Sequence, residues 1–231
     1  MSVSVDTVYQ RVLSILNKEQ RGYVTPQEFN LFANQAQMDL FEQYFYDINQ
    51  FGRMHGNDTE FSDMLNILNE KINIFEVTAA MTHAGSGVWT VPANLYRIGT
   101  IIYNNTEVER INKNEFLYIN KSPLTKPSNE RPVFVADSTG YKVYGTAPLE
   151  TGVTCNYIKR PETVVWNYQQ PVINGVAMFN TSTSVDFPLH ASEETELVMK
   201  ILELAGISTR ELQLYQIAAQ EEMRNTQQEK S

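Results

Sequence analysis

The chain is short of the residues that most often do chemistry. It holds one cysteine, Cys155, and three histidines, His55, His83 and His190, among 231 residues. A single cysteine excludes an internal disulfide and fits synthesis in a reducing compartment. Cys155 stands in an alternating, strand-like pattern, where a small buried apolar residue is expected rather than a nucleophile. The histidines share no ligand-like spacing with acids or with the cysteine, so they read as loop or surface residues and no metal site is expected. HExxH, CxxC, GxSxG, P-loop and GxGxxG patterns are missing. Asn57-Asp-Thr-Glu-Phe-Ser-Asp63 is acidic but lacks the spacing and central glycine of a calcium loop, and Thr59 with Asp63 reads as a helix start. Glu193 and Glu194 are adjacent and so face different sides of a helix, which suits solvation better than paired catalysis. No catalytic residue, cofactor or metal ligand is therefore expected, and an enzyme such as a cell-wall hydrolase is the least supported class.

Long apolar runs are missing too. No stretch approaches the ~18 residues of a membrane helix. The opening MSVSVDTVYQ has neither the basic nor the apolar segment of a signal peptide. Synthesis in a cytoplasm is the expectation, which leaves open where the protein finally works. Basic clusters are also lacking. The formal charge is −9, with ten acids and five bases in residues 1–74, nine of each in 75–190, and eight acids and four bases in 191–231. A protein that grips nucleic acid needs clustered Lys and Arg to displace counterions. An acidic or balanced surface suits DNA that must pass without sticking.

What is present reads as a globular chain, 42% hydrophobic and 19% charged. Val5, Val8, Tyr9, Val12 and Leu16 recur at helical spacing. The stretch RGYVTPQEFN (21–30) then specifies a corner. Gly22 can end the first helix, Thr25 caps the second with Glu28 completing a capping box, and Pro26 suits the first turn. Val24 and Phe29 occupy the two positions of a hydrophobic staple. A wide stripe from Phe29 through Phe41, Tyr44 and Phe45 to Ile48 predicts a long helix buried on more than one side. After a glycine-bearing break at 51–58, Phe61, Met64, Leu65, Leu68 and Ile72 predict a third.

From about residue 75 the period changes to two. Strands are expected at 75–81, at Val88–Val91 as a short or edge strand before Pro92, and at 98–103 with Ile98, Thr100 and Ile102 opposite Gly99, Ile101 and Tyr103. Asn104-Asn105 offers a hairpin turn before 107–111. Val153, Cys155 and Tyr157 alternate along another strand, and KSPLTKPSNERP (121–132) reads as loop. Helical spacing returns with Leu197, Val198, Ile201 and Leu204, where Gly206 can end a helix. Ser208 with Glu211 starts a fifth helix that carries Leu212, Tyr215 and Ala219, before the pattern fades into EEMRNTQQEKS. The predicted fold is α+β: a discontinuous antiparallel helical bundle, three N-terminal helices (1–74) and two C-terminal ones (191–231), around a central antiparallel β domain (75–190).

Four stretches in order resemble the head–tail adaptor, or connector, proteins of short-tailed double-stranded DNA phages, above all the ring proteins of crAss-like gut phages. They are GYVTPQEFNLFANQAQMDLF, VPANLYRIGTIIYNNTEVERI, RPVF with YKVYGTAPLETGVTCNYIKRPE, and FPLHASEETELVMKILELAGIS. The resemblance implies a virion structural protein without catalysis, located at the head–tail junction. It implies a ring, typically of twelve copies, that sits beneath the portal protein, receives downstream tail-ring or nozzle proteins, and lets the genome leave through its centre. No membrane is involved.

Such adaptors use terminal helices against the portal, which makes residues 208–231 the expected contact, with Leu212, Leu214, Tyr215 and Met223 as anchors. Closure of the bundle by the first three of these is an equal alternative. Tyr46, off the buried stripe of its helix, is a further interface candidate, although a solvated tyrosine is the plainer reading. The alternative function is a β-rich tail or capsid accessory module that holds glycan on Trp89 or Trp166, against which stands ordinary core packing of both rings.

Overall fold

The computed structural model describes residues 2–18, 24–51, 59–169 and 178–208, together with 220, 223 and 224. The chain is an α+β protein. Contacts divide it into a helical unit, Met1–Ile74 with Pro161–Ser231, and a β unit, Phe75–Arg160.

In the helical unit, α1 (Val5–Lys18), α2 (Pro26–Phe51), α3 (Thr59–Asn73) and α5 (Glu194–Ser208) form where the helical spacing places them. Val5, Val8, Tyr9, Val12 and Leu16 of α1 are all buried, as are Phe29, Ala33, Ala36, Leu40, Phe41 and Tyr44 of α2. α5 packs on α1 and α2, and α3 packs on α2. Each large apolar side chain buried this way contributes about 1.5–3 kcal/mol. α5 runs two residues past Gly206, so that glycine does not end it. Most of the expected fifth helix, with Leu212, Leu214 and Tyr215, lies outside the described residues, as do Gly22 and most of the 51–58 break.

The expected boundary after residue 190 lies instead after Arg160. Three side chains one or two turns apart on α2 draw the returning chain onto the helices. Gln37 Nε2 donates to the Glu162 carbonyl at 2.9 Å. Asn34 donates to the Val164 carbonyl at 2.8 Å and accepts from its N–H at 2.9 Å. Asn30 treats Trp166 in the same way, at 3.2 and 2.8 Å. The period of two along an extended chain matches one helix face at 30, 34 and 37. The intervening Val165 pairs antiparallel with Val185, and Phe187 pairs with Val3, so the returning chain has β-type partners inside the helical unit. A short hairpin of β10 (Tyr168–Gln169) and β11 (Met178–Phe179) completes this stretch.

The β unit holds β1 (Glu76–Ala80), β2 (Thr82–Gly85), β3 (Val88–Thr90), β4 (Leu95–Tyr103), β5 (Thr106–Glu107), β6 (Glu109–Arg110), α4 (Lys113–Ile119), β7 (Val133–Asp137), β8 (Gly140–Tyr144) and β9 (Val153–Lys159). They make two sheets, β1-β9-β4-β5 and β2-β3-β8-β7-β6. Met81, Trp89, Ile101, Phe134, Val143, Val153, Cys155 and Tyr157, drawn from both sheets, share one core. Asn104 and Asn105, at φ 46° and 59°, make the tight β4–β5 turn.

Three local expectations change. The domain is not wholly antiparallel, because Glu109 and Arg110 pair in parallel with Val133 and Phe134. β3 takes the short alternative, at three residues, and not the edge one, because it is bonded to β2 on one side and β8 on the other; Pro92 falls just beyond its end. Ile98 and Ile101 do not face opposite ways, because a register shift between them turns both toward the same core.

β7 is buried on both faces. Phe134 enters the main core, while Val133 and Val135 join Ile111 in a second cluster against Phe116, Ile119 and Tyr144. α4 thus lies on the outer face of its sheet, held there by Phe116 stacked on Tyr144 at 4.3 Å.

Candidate functional site

The corner at 24–29 forms as read. Thr25 N–H donates to Glu28 Oε2 at 2.9 Å, and Glu28 N–H donates to Thr25 Oγ1 at 3.3 Å. The Thr25 backbone bond, then the Thr25 hydroxyl bond, hold the Glu28 carboxyl below its ordinary pKa. Val24 and Phe29, the staple residues, are both buried.

Among the described residues no group of three or more His, Cys, Asp or Glu is arranged to hold a metal ion. His83, half-buried on β2, accepts from the Gly87 N–H at 3.2 Å and lies 5.0 Å from the Trp89 ring, a packed strand residue rather than a loop one. His190 caps the 3₁₀ turn Ala191–Glu193 by accepting from the Ser192 N–H. His55 lies outside the described residues. Cys155 is fully buried, and desolvation pushes its thiol pKa up.

The adjacent glutamates do face different ways, but not both toward solvent. Glu193 is only 3% exposed and meets Lys71 Nζ at 2.7 Å, while Glu194 meets Arg11 at 3.0 Å. Glu193 is buried because Lys71, at the end of α3, reaches over to neutralise it; Lys71 also sits 5.7 Å above the Tyr44 ring. The pair ties α3 to the start of α5.

Neither tryptophan presents a stacking face. Trp166 is buried against Tyr9, Tyr168 and Phe179, and its indole N–H donates to Asp6 at 3.0 Å. Trp89 is buried, with its N–H on the Leu149 carbonyl at 3.0 Å.

The remaining features are surfaces. Tyr46 is 63% exposed on α2, as its helical phase predicts, and Met223 is exposed. α1 and α5 border an open groove of about 570 Å³ whose walls include Gln10, Ile15, Val198 and Met199. A smaller polar cleft near the Glu109–Arg131 ion pair is walled by Thr106, Glu107 and Pro132. Sequence reasoning missed α4 altogether, with its exposed Leu117 and Tyr118. The available signal was Asn112-Lys-Asn-Glu115: the Asn112 N–H donates to Glu115 Oε2 at 2.9 Å, one half of a capping box.

Among the described residues no helix is long and apolar enough to cross a membrane. No protein-family profile matches the chain, and no curated protein matches its sequence.

Proposed function

We propose that the chain is a virion structural protein, a head–tail adaptor that forms a ring below the portal, links capsid to tail and lines part of the DNA exit channel without turning over a substrate. The observation that carries this reading is the order of elements. The four stretches that resemble connector proteins fall on the capped start of α2, on β4 with its Asn104–Asn105 turn, on β7 to β9, and on the approach to α5. The charge agrees with the reading: a chain at −9 is repelled by DNA at long range and does not bind it through counterion release.

Imaging the chain mixed with a cognate portal protein tests the proposal. Rings sharing the portal's axis are the expected result. A chain that stays monomeric beside the portal at high concentration overturns it. Glycan binding gains no support from the tryptophans, since both indoles are core residues.

A further inference from the structure

α4 is apolar on two faces. Its inner residues, Phe116 and Ile119, pack on the Val133–Val135 cluster. Its outer residues, Leu117 and Tyr118, are 62% and 72% exposed. The loop that follows folds back on the helix end: the Thr125 hydroxyl donates to the Ile119 carbonyl at 3.3 Å, and the Lys126 N–H donates to the Ser122 carbonyl at 3.0 Å. That fold holds Leu124, 95% exposed, at the same end of α4. Three large apolar side chains within eight residues form a knob, and exposed Lys121 and Lys126 flank it. Exposed apolar side chains gathered in one place are ordinarily covered by a partner.

Charge selects the cover. The β unit carries nine basic and seven acidic residues, net +2, whereas the helical unit carries nine basic and twenty acidic residues, net −11. The knob is thus a basic, apolar projection on the one basic unit. The acidic unit presents a groove between α1 and α5, walled by Ile15, Val198 and Met199. Arg11, its basic wall residue, is neutralised by Glu194. At about 570 Å³ the groove is of a size that takes a few side chains.

We infer that the α4 knob of one copy seats in the α1–α5 groove of a second copy. This rests on the ring reading above, and it deepens it by naming the two surfaces. The contact is heterologous, since knob and groove are different patches, and such contacts propagate head to tail until the rotation closes a ring. Apolar contact supplies the affinity, while the opposite unit charges steer the encounter and make it salt-sensitive.

The test uses the full chain and two classes of variant. Leu117→Ser with Leu124→Ser disables the knob at exposed positions. Ile15→Lys disables the groove by setting a positive charge before the lysines; Gln10→Lys, which does the same from a polar position, serves if Ile15→Lys fails to fold. Sedimentation should show that each variant weakens self-association by about tenfold or more. A mixture of knob and groove variants retains one good interface, so it should give pairs and nothing larger. Variants that assemble like the wild type, or a mixture that yields no pairs, overturn the inference and leave the ring reading standing. Wild-type chain that remains monomeric even with portal protein removes both. Knob variants that self-associate normally but lose binding to phosphatidylserine-containing vesicles assign the knob to a lipid surface instead.

Discussion

The Asn34 side chain makes both backbone hydrogen bonds of Val164, accepting from its N–H at 2.9 Å and donating to its carbonyl at 2.8 Å. A carboxamide here does the work of a neighbouring strand. Replacement by Ala leaves two partly buried backbone groups without partners. Asn34→Ala should lower stability by about 2–3 kcal/mol, read as a shift of the urea midpoint at unchanged slope. Asn34→Asp keeps the acceptor but faces a carbonyl with a carboxylate, so it should fall between the two.

The ion pair of Lys71 and Glu193 has one deeply buried member. Glu193→Gln leaves the ammonium uncompensated and should cost about 3 kcal/mol. The double variant Lys71→Met, Glu193→Leu removes both charges, and should lose less than Glu193→Gln alone. Thermal melts of the three proteins check the ordering; a double variant less stable than the single one would show that the pair contributes more than its desolvation costs.

At the α2 start, Thr25→Ala should lower stability by about 1 kcal/mol. Glu28 adds a pH signature. Its folded pKa lies below the ordinary 4.5, so its contribution is present above that value and lost as pH falls through the folded one. The Tm gap between wild type and Glu28→Gln should therefore be full at neutral pH and close in the acid range. A gap that widened with acid would contradict the capping geometry.

Cys155 provides a probe of the β unit. A buried thiol with a raised pKa reacts only when the core opens. Gly140, at φ +142°, sits in the β7–β8 turn, where an added Cβ would strike the Trp89 carbonyl. Gly140→Ala should cost about 2 kcal/mol and speed Cys155 alkylation by about thirtyfold. Unchanged labelling would mean that the turn adjusts without loss.

The sequence and the structure agree most where a signal is local. Thr25 and Glu28 are three residues apart, Asn104 and Asn105 are adjacent, and Val153, Cys155 and Tyr157 alternate into the core as their spacing requires. The return of 161–169 to the helices was illegible because its partners, Asn30, Asn34 and Gln37, are more than a hundred residues away and look like surface positions of α2. The parallel β6–β7 pair joins strands across α4 and the loop that follows it, and nothing in either strand records direction. The candidate surfaces divide in the same way. Tyr46 follows from helical phase, whereas Leu117 stands on a helix that went unread and Leu124 in a stretch read only as loop.

The β unit begins and ends at one place: the Lys159 N–H donates to the Phe75 carbonyl at 2.8 Å, where β1 starts and β9 finishes. A segment whose entry and exit are neighbours can be lengthened, shortened or exchanged with only a short splice between them. Residues 75–160 are in that sense a cassette, free to diverge under selection by whatever they touch while the helices that carry them stay as they are.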